Sequence, residues 1–263
     1  MISQHYIYIP FTGVGLKQYG GDEWFTKRIE IFKNFTFKSL FNQSVRDFVL
    51  WISFRPEEEE NSLTKELELY IRSKGVECVF TFDSLMYHDD RFVQQNETLK
   101  TRLTKSLRIL ENISKKSPDH YTEGQILVTR IDSDDMLRHD AVLKIRESAN
   151  EYKCGSVLLW RGLIYNAETE ELAEWLPRTN PPFHSIVFDK NEFFDADLHL
   201  GIFDRWKSHE DTPIFVTPSV IVPFDNLYCV VVHNPQNHIS TSWNHSFRGD
   251  IVDDPKLLNS FGI

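Results

Sequence analysis

Positive charge is scarce in this chain: 29 lysines and arginines stand against 39 aspartates and glutamates, a formal charge of −10. That balance argues against a nucleic-acid scaffold, because phosphate backbones need a clustered basic surface. A small anionic ligand could still bind locally, through a few basic groups or a metal. Long apolar runs are missing too. No segment approaches the roughly eighteen uninterrupted apolar residues of a spanning helix, and residues 1–10 show no basic stretch leading into an apolar run. Cysteine is rare, with Cys78, Cys154 and Cys229 far apart and without metal-ligand spacing. An odd count in apolar contexts reads as reduced core thiols, so a cytoplasmic protein is expected. Neither internal repeats nor low-complexity tracts are present.

What remains is an ordinary globular composition, 263 residues with 41% apolar, enough for one large α/β domain or two small ones. Aromatics are plentiful, with 20 Phe and 6 Trp. Most of these rings serve a core, although sugar sites also favour stacking rings, for which Trp160, Trp175, Trp206 and Trp243 are candidates.

The first half alternates apolar strands with amphipathic helical stretches, the pattern of βαβ units and a mainly parallel sheet. Strands are expected at residues 5–10, 47–54 (DFVLWISF), 76–82 and 125–131 (QILVTRI). A helix from Asp22 should turn Trp24, Ile29, Phe32 and Phe35 toward one face, and the glutamates at 57–60 read as the solvated start of another. Beyond Arg138 a helix is expected to about Tyr152, residues 155–166 look like two strands meeting near Arg161-Gly162, and the second half then loses the regular alternation and becomes rich in Pro, His and Trp. The expected fold is therefore a mixed, mainly parallel sheet flanked by helices, Rossmann-like, in a single compact domain with an irregular C-terminal half. The shift resembles a nucleotide-binding half, residues 1–137, joined to an acceptor-binding half, residues 138–263.

Four residues, Asp132-Ser133-Asp134-Asp135, follow the fourth strand directly. Open parallel sheets bind ligands beyond the carboxyl ends of their strands, so position and chemistry agree. Three neighbouring carboxylates repel one another unless a divalent cation or several backbone N–H groups compensate. Mg²⁺ or Mn²⁺ would suit, bridging carboxylates and substrate phosphates. Alternatively, Asp134 or Asp135 caps a helix beginning near Met136.

These residues also carry a resemblance. The stretch 127–137 (LVTRIDSDDML) resembles the DxD strand of GT-A glycosyltransferases, and in particular a bacterial rhamnosyltransferase-like family. Residues 28–43 (RIEIFKNFTFKSLFNQ), the strand that follows, and 229–240 (CVVVHNPQNHIS) resemble further segments of that family, which commonly has Gly after the C-terminal His where this chain has Asn234. The resemblance implies transfer of a sugar, rhamnose or another hexose, from a nucleoside-diphosphate sugar to an acceptor hydroxyl. Asp134 and Asp135 would then hold metal and diphosphate, with Asp132 near the ribose or positioning the loop. His233, at a strand end, is a further candidate metal ligand. Arg130 could pair with a carboxylate or a phosphate, and Arg28 would lie on the nucleotide side. Thr12 and Gly13, in the loop after the first strand, could approach the nucleotide closely. The general base an acceptor hydroxyl needs would be Asp211 first and Glu210 second, with His199 and Asp204 as alternatives.

Two rivals remain. A metal-dependent phosphohydrolase or nuclease would use the same acidic strand end, but draws ligands from several strand ends, and only Asp83 offers itself. A non-catalytic nucleotide-sugar-binding module would keep the fold without the chemistry.

Overall fold

The computed structural model describes residues 2–11, 21–83, 96–115, 124–153, 155–199, 216–233 and 242–263, with backbone alone at 96–99. Its main sheet has seven strands in the order β10-β6-β9-β4-β1-β2-β3. At its centre, β1 (Ile2–Pro10) runs parallel to β2 (Val49–Ser53) and β4 (Gln125–Arg130), and β2 is parallel to β3 (Cys78–Thr81). Beyond β4, β9 (His184–Asp189) reverses direction, and β6 (Ser156–Leu158) pairs with β10 (Ser219–Ile221) in parallel.

The run VLWIS of β2 is buried throughout because the sheet is covered on both faces. One face carries Ile7, Ile9, Phe11, Leu50, Ile52 and Phe54. Against it pack Trp24, Phe25 and Phe32 of α1 (Gly21–Asn34) and Phe37 and Leu40 of α2 (Thr36–Phe41). Phe35 does not join the α1 stripe: the helix breaks there, and its ring turns to Tyr165. The opposite face presents Tyr6, Tyr8, Trp51 and Val79 to Leu103, Leu107 and Leu110 of α4 (Asn96–Ser114).

Between β2 and β3 lies α3 (Ser62–Ser73), capped by Asn61, whose side chain accepts from the Leu63 N–H. Of the glutamates before it, Glu57 and Glu58 belong to a 3₁₀ turn (Pro56–Glu58) rather than a helix start, and Glu57 and Glu60 are solvated as expected. Glu58 is buried, which raises its pKa, while the Asn61 amide donates to its Oε2 at 2.8 Å.

Where the sequence loses its alternation the chain builds a second sheet, β12-β8-β7-β11-β5. Its members are β5 (Met136–Leu137), β7 (Gly162–Asn166), β8 (Glu171–Trp175), β11 (Tyr228–Val232) and β12 (Arg248–Ile251). Here β11 runs parallel to β7 and antiparallel to β5. Gly162 admits the Tyr228 ring, which would lie 2.5 Å from an added Cβ; that ring stacks on Phe183 at 3.8 Å. One apolar cluster joins the sheets through Ala141, Val142 and Ile145 of α5 (Ala141–Tyr152). Cys78 and Cys229 are buried free thiols, their pKa values raised first by that burial; Cys154 lies outside the described residues. Among the described residues, no helix is long and apolar enough to cross a membrane.

Candidate functional site

Past Arg130, the Ile131 N–H still bonds to the Tyr8 carbonyl at 3.1 Å, holding the end of β4 against β1. The chain then turns, with the Asp135 N–H 3.4 Å from the Asp132 carbonyl, and enters β5, where Met136 faces Cys229 and Leu137 faces Tyr228. Neither Asp134 nor Asp135 caps a helix, because α5 begins only at Ala141. The acidic turn therefore joins the two sheets, at the carboxyl end of the parallel strands where sheets of this kind bind ligands.

Its three carboxylates have different partners. Asp132 Oδ1 accepts from Arg130 Nη2 at 2.7 Å, and Arg130 Nη1 also donates to the Pro182 carbonyl. Asp134 Oδ2 lies 2.5 Å from Arg28 Nη1 and 2.9 Å from His233 Nε2. Burial alone would raise the Asp134 pKa; the charge of Arg28 and the His233 hydrogen bond outweigh it and hold the group below the usual carboxylate range. Asp135 is buried, and its pKa is pushed well up by that burial and by the neighbouring Asp134 and Asp132. Its Oδ1 accepts the Val231 N–H at 3.1 Å, two residues past the last β5–β11 pair, so this carboxylate continues the ladder where the β5 backbone has left it.

The frame around the turn comes from the same stretches that carried the family resemblance. Arg28 of α1 is buried, with its guanidinium over the Trp24 ring at 5.2 Å, a cation–π contact. The Trp24 indole N–H is buried and meets no acceptor among the described residues. At α2, Ser39 Oγ accepts the Leu137 N–H at 3.2 Å. Gln43 Nε2 lies 2.8 Å from the Arg138 carbonyl and 3.3 Å from that of Leu137, and its Oε1 accepts the Val142 N–H. Sequence reasoning gave these two residues no role. Ser39 lies within α2 and Gln43 two residues past its end, and their spacing within the stretch that carried the family resemblance was the available signal.

The other expected residues fall as follows. Thr12, Gly13, Glu210 and Asp211, with Asp204 and Trp206, lie outside the described residues. His199 is buried, stacked on Phe188 and edge-on to Phe193 and Trp51, in the α4-side core rather than the turn. Trp175 is buried against His245 and Phe247, and Trp243 lies beneath the Arg248 guanidinium. Asp83 Oδ1 accepts from Ser53 at 2.7 Å and from Thr81 at 2.8 Å, buried at the ends of β2 and β3.

These donors do not fit a divalent cation as they stand. Among the described residues no three or more His, Cys, Asp or Glu converge as a cage. Asp132 is paired, Asp135 is turned into the sheet, and Asp134 already holds a guanidinium. Two unit charges 4 Å apart interact by about 4 kcal/mol at an effective dielectric of about 20, so a dication beside Arg28 would meet roughly 8 kcal/mol of repulsion. The turn is compensated instead by two arginines, a histidine and a backbone N–H.

No family model matches this sequence, and no curated protein matches it. Several solved structures are similar. Staphylococcus aureus TarS aligns over 87% of this chain at 13% identity, with a TM-score of 0.44. Its 1–349 fragment in complex with UDP aligns over 88% at 11% identity and a TM-score of 0.45. The same fragment with UDP-GlcNAc aligns over 88% at 13% identity and 0.45. The chain spans 37% of the TarS chain and 61% and 59% of the two liganded fragments. Likeness at this level carries no argument about function, which rests on the site itself.

Proposed function

We propose that this protein is a glycosyltransferase of the GT-A type, binding a nucleoside-diphosphate sugar at the acidic turn and passing the sugar to an acceptor hydroxyl. One observation carries the reading: Arg28 of α1, Asp134 of the turn and His233 at the end of β11 meet within hydrogen-bond distance beyond the carboxyl end of the parallel strands. Three stretches distant in sequence are brought together at the place where a sheet of this kind receives a nucleotide.

In such a transfer the acceptor oxygen bonds to the anomeric carbon, the carbon–oxygen bond to the diphosphate breaks, and the diphosphate leaves with its electron pair. Cationic and N–H donors beside the leaving oxygens stabilise that charge as it grows. A base within reach of the acceptor hydroxyl takes its proton, and Asp211, then Glu210, are the candidates for it. Thr12 and Gly13 are proposed to face the nucleotide, and Asp132, held by Arg130, its ribose. Rhamnose or another hexose is the donor sugar suggested by the family resemblance. The Mn²⁺ or Mg²⁺ expected at Asp134, Asp135 and His233 finds no fitting donor set among the described residues, and no step here runs through it. The phosphohydrolase alternative gains no support, since Asp83 is committed to Ser53 and Thr81.

Thermal stability measured with a panel of nucleoside diphosphates and nucleotide sugars tests the reading. A ligand at about one hundred times its Kd adds roughly 2.7 kcal/mol to the folded state, an easily read rise in Tm. One base should be selected, and the variant Asp134→Ala should lose the effect. If no nucleotide raises Tm, with or without Mn²⁺, the transferase reading is wrong.

A further inference from the structure

We propose that a cavity at the amino ends of the parallel strands is a second ligand site, which takes a small aromatic anion, an aryl carboxylate or aryl phosphate, and that its occupant steadies α2. The acidic turn lies at the opposite, carboxyl end of the same strands, so this site is separate from it and does not depend on the nucleotide-sugar reading.

The cavity encloses about 410 Å³. Pockets for small ligands occupy about 300–1,000 Å³. It opens between the start of β1 at Ser3 and Gln4, the start of β2 at Phe48, and the turn that leads from α3 into β3. Phe37, Leu40 and Phe41 of α2 join Phe48 in an apolar wall. Arg46 and Lys74 stand exposed at the rim, and each has an aromatic ring beside it, Arg46 over Phe41 at 4.4 Å and Lys74 over Tyr70 at 5.5 Å. Neither cation pairs with a carboxylate among the described residues. Of the two carboxylates at the cavity, Asp47 is taken by Arg146 at 3.3 Å, which leaves Glu77. Two cations against one carboxylate keep the rim net positive. The ends of α2 and α3 add partial negative charge. Their last carbonyls are already met, however, since the N–H groups of Asn42, Lys74 and Gly75 donate to Lys38, Ile71 and Arg72. The side-chain charges therefore dominate. A guanidinium without a carboxylate suits a carboxylate or phosphate group, and the phenylalanine wall suits the ring that carries it.

The occupant would also be felt beyond the cavity. The helix that supplies Phe37 and Phe41 carries Ser39, whose Oγ accepts the Leu137 N–H, and leads into Gln43, which bonds to the Arg138 carbonyl and the Val142 N–H. A ligand packed on Phe37 and Phe41 restrains this segment and so slows the opening of the bonds it makes to residues 137–142.

Proton–nitrogen NMR titration of the full chain with phenyl phosphate and with benzoate tests the site, with inorganic phosphate as the probe without a ring and benzyl alcohol as the probe without a charge. At least one of the two aromatic anions should bind with a Kd below about 10 mM, and at least about fivefold tighter than either control. The variant Arg46→Gln/Lys74→Gln changes two exposed side chains and should weaken that binding at least about fivefold. At saturation, hydrogen exchange at the Leu137 and Val142 amides should slow at least about twofold. No binding by either anion up to about 10 mM, a preference over the controls smaller than about fivefold, or a smaller loss than that in the double variant overturns the site. Binding that leaves exchange at Leu137 and Val142 unchanged overturns its action through α2. None of these outcomes bears on nucleotide binding at the acidic turn.

Discussion

Asp134 and Asp135 are neighbours with the same chemistry, and the protein puts them to opposite uses. Asp134 faces Arg28 and His233 as an anion, whereas Asp135 is buried and spends its oxygen on the Val231 backbone. An uncompensated buried carboxylate is costly, and its raised pKa reports that cost. Asp135→Asn keeps the amide oxygen for Val231 and removes the charge, so its Tm at neutral pH should equal or exceed that of the wild type, with nucleotide binding retained. Asp135→Ala removes that hydrogen bond and should lose about 1 kcal/mol in denaturant unfolding. A marked loss of stability or binding in Asp135→Asn would mean that the negative charge itself is required. No amount of inspection of D-S-D-D separates the two residues, because the difference lies in which backbone each one meets.

Among the elements, α2 has a function out of proportion to its six residues. Ser39 within it and Gln43 just beyond its end clamp the strand β5 and the entry to α5, and they thereby hold the acidic turn that precedes both. Gln43→Ala leaves the Arg138 and Leu137 carbonyls and the Val142 N–H without this partner. The expected cost is about 2–4 kcal/mol of unfolding free energy, from the roughly 1–3 kcal/mol per stranded buried group, together with weaker nucleotide binding. Gln43→Glu supplies only the acceptor and should restore little. Elements of the first half were readable in the sequence because each carries its own periodicity: β1, β2, β3 and β4 lie within a few residues of their expected places. The strand at Met136–Leu137 was not readable. Two residues have no period, and they are extended only because β11 lies alongside. Capping propensity at Asp134 and Asp135 lost to that tertiary pairing.

For the whole molecule, two buried histidines set a limit on the acid side. His5 Nε2 sits 2.7 Å from Thr129 Oγ1 inside the main sheet; burial, with the Arg146 charge adding to it, holds its pKa down to about 3. Burial likewise lowers His199 to about 4, against the opposing pull of the Phe193 carbonyl and Asp195. In the unfolded chain both histidines titrate near 6.5. Between there and about pH 4 the unfolded state binds protons that the folded state refuses, so stability is lost as pH falls through that window. Each histidine contributes up to about 1.4 kcal/mol per pH unit. Asp83 and Asp135, with raised pKa values, work in the opposite direction and offset part of it. Chemical unfolding from about pH 7 to about pH 4 should show a steady decline, shallower in His5→Gln; a flat profile would contradict neutral burial of these rings. By itself the sequence determined the parallel half of the main sheet, the place of the acidic turn and the stretches that would matter, because local apolar period and charge density are properties of contiguous residues. Only the tertiary structure decided that a second sheet forms, that Arg28 and His233 share one oxygen of Asp134, and that Asp135 serves the backbone. Those outcomes depend on partners about one hundred residues away, and no local signal encodes which of several carboxylates a distant cation will reach.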